Sequence, residues 1–193
     1  MSKESKTPFV MLGLLVDGSK SGYDLKKIIE KSIGYFWQES YGQIYPVLKK
    51  LHQNNYVTKK TLKQNNKPDK NMYSITASGK THLELWLSSP MQVSPERNEL
   101  LLRTFFGPNT DIQITVQMLE NHLKESIKMK SIFLEIKSIV KSNCVIDSGS
   151  IENSTFSMIT LEYGIMNLDM QIKWAKSSIK TLEEYATKKR SRK

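Results

Sequence analysis

Ser40-Tyr-Gly-Gln-Ile-Tyr-Pro-Val-Leu-Lys-Lys-Leu-His-Gln-Asn-Asn-Tyr-Val57 is the stretch whose reading decides the fold. Ser40 is a helix N-cap type, and Ile44, Val47, Leu48 and Leu51 recur at helical spacing, so an amphipathic helix starts there. Its other face carries Tyr41, Gln43, Lys49, Lys50 and Gln53, all hydrogen-bond donors with no acid among them. Such a face suits an acceptor-rich anion. Asn54-Asn55 ends the helix where Gly is usual, because Asn tolerates a left-handed C-cap. Pro46 removes one backbone bond and crowds the carbonyl of Gly42, so it fits only if it lies close to the start of the helix or if the first turn is distorted.

Outward from this helix the signals are orderly. Tyr56 to Leu62 and Asn71 to Ile75 read as two strands, and the turn formers of residues 64–70 lie between them as a lysine-rich tip. Upstream, Thr7-Pro8 opens a helix as N-cap and first-position Pro. Phe9 to Val16 is almost wholly apolar and therefore buried, and Asp17-Gly18-Ser19 closes it. Ser21 caps a second helix, Gly22 to Ile33, whose packing face is Tyr23, Leu25, Ile28 and Ile29, with Lys26, Lys27 and Lys31 outside and Gly34 as the stop. Tyr35-Phe36-Trp37 forms an aromatic knot in the following turn. Thr76 begins a closing helix, Ala77 to Leu87, with Leu83, Trp86 and Leu87 on one side. Helix, helix, donor-rich helix and basic hairpin together describe a winged helix-turn-helix over residues 1–89.

Beyond Pro95 the signal is all helical. Glu96 to Phe106 is one segment, interrupted by Gly107-Pro108. Ile112, Val116, Leu119, Leu123 and Ile127 open a long second segment running to about Lys141, and the Ser/Gly-rich stretch from Cys144 to Ser154 reads as a loop. The last helix carries two apolar seams. Phe156, Ile159, Tyr163, Met166, Met170 and Trp174 form one; Leu161, Ile165, Leu168, Ile172, Ala175, Ile179 and Leu182 form the other. A helix apolar on two sides needs two partners, and the second is most simply another copy of the chain. Residues 90–187 are therefore expected to form an antiparallel helical dimerisation domain, followed by a basic tail at 188–193, in a chain that is mainly α.

The formal net charge of +10 is unevenly placed. Residues 1–88 hold fourteen lysines against seven acids, and the tail alone adds five cations. Such a field favours a polyanion, nucleic acid before anionic membrane. A single cysteine, Cys144, excludes an internal disulfide, and no Cys/His spacing offers a metal site, so no metal or cofactor is expected. His52, His82 and His122 have no nucleophile or carboxylate at motif spacing. With no phosphate loop either, an enzyme finds no support, and no catalytic residue is assigned. No leader or membrane-spanning run is read, so a soluble, reducing, cytoplasmic setting is the expectation. Trp86, Trp174 and the aromatic knot read as core rather than as an effector cavity.

Residues 1–88 contain no arginine. Lysine acts mostly as a point charge on phosphates, so Lys49, Lys60, Lys63, Lys67 and Lys70 are expected to anchor the DNA backbone. Gln43, able to pair with adenine, and Tyr41 are the candidates for base edges.

Several stretches also resemble a known family. Ser21-Gly-Tyr-Asp-Leu25, Phe36-Trp37, Ser40-Tyr-Gly-Gln-Ile-Tyr-Pro-Val-Leu48, Tyr73-Ser-Ile-Thr-Ala-Ser-Gly79 and Leu85-Trp86-Leu87 look like the winged-helix half of PadR-like transcriptional regulators. Arg97-Asn-Glu-Leu-Leu-Leu102 and the region from Tyr163-Gly164 to Trp174 are similar to the helical C-terminal half of its longer subfamily, which includes virulence-gene activators. Asn55 stands where the family pattern usually has Gly. The resemblance covers nearly the whole chain and adds Ser21, Tyr23, Ser40, Tyr45 and Tyr73, within its motifs, to the DNA-facing set. It implies a homodimer built by the C-terminal helices, for which the two seams offer Phe156, Ile159, Tyr163, Ile165, Met166, Met170 and Trp174 as candidate contacts. It further implies binding to a palindromic operator and, in some members, a small aromatic effector or drug; repression is the expectation, although the residues themselves do not separate repressor from activator. The competing expectation is a non-specific nucleic-acid-binding or architectural protein, favoured by the basic tail.

Overall fold

The computed structural model describes residues 5–63, 69–91, 97–146 and 151–190, with the side chains of all of these except 143–146, 151–153 and 190. Lys67, the hairpin tip at 64–68, Pro95 and Glu96 in the connection, and residues 191–193 of the tail lie outside the described residues, as does the Cys144 side chain. The chain divides into two compact units, Met1–Ser94 and Pro95–Lys193.

The first unit is a winged helix-turn-helix. It runs α1 (Thr7–Leu15), β1 (Lys20–Ser21), α2 (Gly22–Lys31), α3 (Tyr41–Gln53), β2 (Val57–Leu62), β3 (Lys70–Ile75) and α4 (Ala77–Leu87). The sheet order is β1-β3-β2, all antiparallel, with Val57 opposite Ile75 and Leu62 opposite Lys70 in the hairpin. β1 pairs Lys20 with Tyr73 and Ser21 with Met72. Two residues leave no periodicity to read, which is why this strand is invisible in the sequence. Met11, Leu12 and Leu15 of α1, Leu25 and Ile29 of α2, and Ile44, Leu48 and Leu51 of α3 converge with Val57 and Tyr73 on one core.

Several expectations need correction here. The N-cap of α1 is Lys6, so Thr7 is the first helical residue and its hydroxyl bonds Ser5 Oγ at 2.8 Å. α2 ends at Lys31, short of Ile33, and its Tyr23 is 49% exposed rather than packed inward. Leu87 of α4 is exposed too, while Leu83 and Trp86 reach the core. Pro46 sits inside α3 without ending it. The carbonyl it deprives of a partner belongs to Gly42, an exposed residue, so water can satisfy it.

The end of α3 is closed as its asparagines suggest. Asn55 takes φ 59°, its N–H reaches the carbonyl of His52 (3.1 Å), and Tyr56 N–H reaches that of Leu51 (2.9 Å). These two bonds make a Schellman cap. The Thr76-Ala-Ser-Gly79 segment then fastens α4 to this turn. Thr76 Oγ1 donates to the Asn55 carbonyl (2.8 Å) and accepts from Gly79 N–H (3.0 Å), and Ser78 Oγ donates to the Asn55 carbonyl (3.0 Å). A Cβ on Gly79 would lie 2.1 Å from the Tyr56 carbonyl oxygen, so only glycine allows this approach. Tyr56, His82, Phe9 and Trp86 stack in succession, with His82 4.3 Å from Tyr56 and Phe9 4.5 Å from Trp86 between ring centres. His82 is thus structural, and so is His52, whose Nδ1–H donates to the Val57 carbonyl at 3.1 Å.

The second unit comprises α5 (Glu99–Phe105), a 3-10 turn at Gly107–Asn109, and two long helices, α6 (Ile112–Ile146) and α7 (Ile151–Arg190). α6 and α7 pack antiparallel, as the ion pairs Lys130–Asp169 (2.5 Å) and Lys137–Glu162 (2.9 Å) require. The loop expected from Cys144 to Ser154 is much shorter, because helix continues to Ile146 and resumes at Ile151. Buried Leu119, Ser126 and Phe133 on α6, and Leu161, Leu168 and Ala175 on α7, each step by seven. That is the period of a coiled-coil seam. Ile127, expected in this seam, is 48% exposed, because Ser126 holds the position that the seven-residue period demands.

Candidate nucleic-acid interface

From Ser40 to Lys63 the chain has five lysines and no acid, and Lys49, Lys50, Lys59, Lys60 and Lys63 are all exposed. The capping and packing described above fix this face. Because Ile44, Leu48 and Leu51 are driven into the core, Tyr41, Tyr45 and Lys49 line the outside of α3 at steps of four. Beyond Val57, β2 is exposed along its whole length, and Lys59 and Lys60, neighbours in the strand, leave it on opposite faces. Among the described residues none of these five lysines has an ion pair, whereas Lys26 is matched by Glu30 and Lys70 by Asp24.

The face also holds an aromatic feature that no helical pattern reveals, because it joins two helices. Tyr23 of α2 and Tyr41 of α3 stack with planes 6° apart and centres 6.4 Å apart, and Tyr41 and Tyr45 follow at 6.2 Å and 19°. All three rings are exposed, at 49%, 42% and 49%. Lys27 lies 4.5 Å over the Tyr23 ring, and its hydrogen bond to Tyr23 raises its pKa above the ordinary lysine value, so it stays a cation. At the other end Tyr45 lies on Gly22, where a Cβ would come within 2.7 Å of the ring. Lys27 joins this aromatic row only in the structure; its spacing of four from Tyr23 is the sequence signal for that contact.

Four candidates take other roles in the structure. Ser21 is buried, and its Oγ accepts from Asp24 N–H (3.2 Å) and donates to Asp24 Oδ2 (2.7 Å), so it is a helix cap. Tyr73 is 7% exposed and belongs to the core, where burial first and Tyr45 second raise its phenol pKa. Lys70 pairs with Asp24 at 2.9 Å. Burial would raise the Asp24 pKa, but the bonds from Lys70 and Ser21 outweigh it and the net direction is down. Gln43 is exposed, yet its Oε1 accepts from Ser40 N–H (2.8 Å) and Ser40 Oγ (2.9 Å) in a capping box. The bidentate adenine contact needs that same oxygen. Only Nε2 remains uncommitted while the cap is intact. Ser40 is exposed at the same corner.

In the second unit, Phe156, Ile159, Tyr163, Met166 and Met170 form a stripe on α7, each between 57% and 71% exposed. Two other members of that set sit elsewhere. Ile165 is half-buried on the side of Leu161 and Leu168, and Trp174 is half-buried with its ring 6.3 Å from His122, edge to face. Both serve the α6–α7 hairpin. Among the described residues no group of His, Cys, Asp and Glu could hold a metal ion, and no helix is long and apolar enough to cross a membrane.

Comparison with known proteins matches both units. Residues 11–85 fit the model of the transcriptional regulator PadR-like family, and residues 96–183 fit that of the virulence activator alpha C-terminal domain. The negative transcriptional regulator PadR of Bacillus subtilis is 39% identical over 100 residues, covering 51% of this chain and 54% of that one. The chain thus spans about half the length of the curated relatives it matches. Among solved structures, Bacillus subtilis PadR in complex with operator DNA superposes with a TM-score of 0.81 at 25% identity, over 94% of this chain and 99% of that one. The Vibrio cholerae virulence activator AphA gives 0.73 at 26%, over 93% and 99%.

Proposed function

We propose that this chain, which belongs to the PadR-like family of transcriptional regulators, binds operator DNA as a homodimer and represses the genes beside it. The observation that carries the reading is the acid-free, lysine-lined face of α3 and β2, ordered around three exposed tyrosines. Lysines place the protein on phosphates without reading sequence, while α3 presents its first turns to base edges. The name of the Bacillus subtilis relative, a negative regulator, supports repression, and its solved operator complex supports DNA as the partner.

The apolar stripe of α7 supports the dimer. It runs over 15 residues, from Phe156 to Met170, about 21 Å of helix. A contiguous apolar patch of that length marks an association surface, and a second copy in two-fold symmetry presents the same stripe to it. Two winged helices held in one dimer engage two half-sites, so the operator is palindromic. Release by a small aromatic effector belongs to the same proposal, and titrating the DNA complex with small aromatic acids tests it.

The deciding experiment is a competition gel using fragments selected from the organism's own DNA against random duplex of equal length. Strong preference for the selected fragment is expected. Equal binding would instead support a non-specific or architectural protein, whose affinity is electrostatic. In the same assay Lys60→Ala or Lys63→Ala should weaken selected and random DNA alike and reduce the salt slope by about 1.

A further inference from the structure

We propose that the stacked Tyr23, Tyr41 and Tyr45 rings read the 5-methyl groups of thymine in the operator, with Lys27 as a positioning residue for the stack. This rests on the DNA-binding reading and names the base feature the face recognises.

Residues 1–88 hold no arginine, so the commonest guanine contact, a bidentate guanidinium, is missing from the unit. The Gln43 oxygen that an adenine contact requires is occupied by Ser40. What remains outward on the first two turns of α3 is aromatic surface. In the major groove the apolar feature of the bases is the thymine methyl, which discriminates A·T from G·C pairs by contact rather than by hydrogen bonding.

The stack is also built to keep its shape. Tyr23 is held from one side by Lys27 at 4.5 Å, and Tyr45 is seated on Gly22, where even a methyl group would collide. Near-parallel rings spanning two helices therefore meet DNA already ordered, and tyrosine gives large contact area at low conformational cost. Exposure of 42–49% leaves enough ring surface for methyl contact.

The test uses the duplex that the wild-type chain selects from genomic fragments, made once with thymidine and once with deoxyuridine throughout. The exchange deletes the methyls and leaves the hydrogen-bonding edges unchanged. The wild-type chain should bind the uridine duplex about fourfold more weakly for each methyl that its rings cover. Tyr41→Ala should bring the thymidine/uridine affinity ratio toward one, Tyr41→Phe should retain it, and Lys27→Gln should reduce it with rescue by Lys27→Arg. Circular dichroism identifies any variant that has lost its fold, and Tyr41→Phe, which keeps the ring, then carries the comparison. A wild-type ratio of one with selected-over-random preference intact overturns the methyl reading alone. A ratio lost in Tyr41→Phe assigns the effect to the hydroxyl and overturns it too. Absence of any sequence preference overturns the DNA-binding reading beneath it.

Discussion

Gln43 is where the capping role of α3 and its proposed binding role meet, and two substitutions separate them. Gln43→Ala removes the acceptor that takes hydrogen bonds from Ser40 N–H at 2.8 Å and Ser40 Oγ at 2.9 Å. Ser40 remains as the N-cap, so what is lost is its hydrogen bonding to Gln43, about 1 kcal/mol within a range of roughly 0.5–1.5. For a unit this small, that lowers the melting temperature by about 4–8 °C. Gln43→Glu keeps the acceptor and adds a negative charge in the first turn, where the helix dipole favours it by about 0.3–1 kcal/mol. Its stability should equal or exceed wild type, while the new charge repels phosphate and weakens binding to every duplex. Trp37 and Trp86 lie in the N-terminal unit, so fluorescence melts in a Trp174→Phe background report on that unit alone. If Gln43 also reads a base, Gln43→Ala should lose a further 1–3 kcal/mol on the selected operator only. An unchanged melt for Gln43→Ala would refute the capping argument. Wild-type DNA affinity in Gln43→Glu would remove the first turn of α3 from the DNA.

Gly79→Ala places a Cβ 2.1 Å from the Tyr56 carbonyl oxygen, so the N-terminal unit should lose about 1–3 kcal/mol in urea unfolding; wild-type stability would mean that α4 can move aside freely. The Asp24 pKa is depressed below 3.8 in the folded chain, so its contribution is complete at neutral pH and is lost as pH falls from about 4 through the folded value. Asp24→Asn should therefore flatten the acid limb of stability against pH, and an identical acid limb would count against the Lys70–Ser21 network. Met166→Lys charges the exposed α7 stripe but not the α6–α7 seam, so light scattering should fall from twice 22.2 kDa to one chain mass with helical circular dichroism retained. A mass that stays double would place the dimer contact elsewhere.

The fold is legible in this sequence wherever a local rule acts alone. Asn54-Asn55 reads as a left-handed cap because φ 59° is a property of one residue, and the hairpin reads because turn formers separate two short strand-like runs. Local rules fall short where a residue type with a polar tip also serves packing or capping. Tyr73 and Ser21 stand in motifs that suggest contact with DNA, yet a phenol can stay in a core and a serine can close a capping box. Lys70 looks like its neighbours in the hairpin until Asp24, 46 positions away in sequence, is brought beside it. In the second unit the expected apolar seam of α6 follows hydrophobic residues to Ile127, whereas the true seam keeps a seven-residue period through a buried Ser126.

The tyrosine stack shows what local reading cannot supply. Tyr23 belongs by spacing to the packing face of α2, and Tyr41 and Tyr45 belong to the outer face of α3. Their association depends on how α2 and α3 cross, which is set by Leu25, Ile29, Ile44 and Leu48 in the core, and on Gly22, against which the Tyr45 ring lies. The proposed recognition surface is therefore coupled to packing beneath it. A core substitution that rotates α2 by a fraction of a turn would separate Tyr23 from Tyr41 without touching any residue on the face, and would be felt as altered base preference before any loss of phosphate binding.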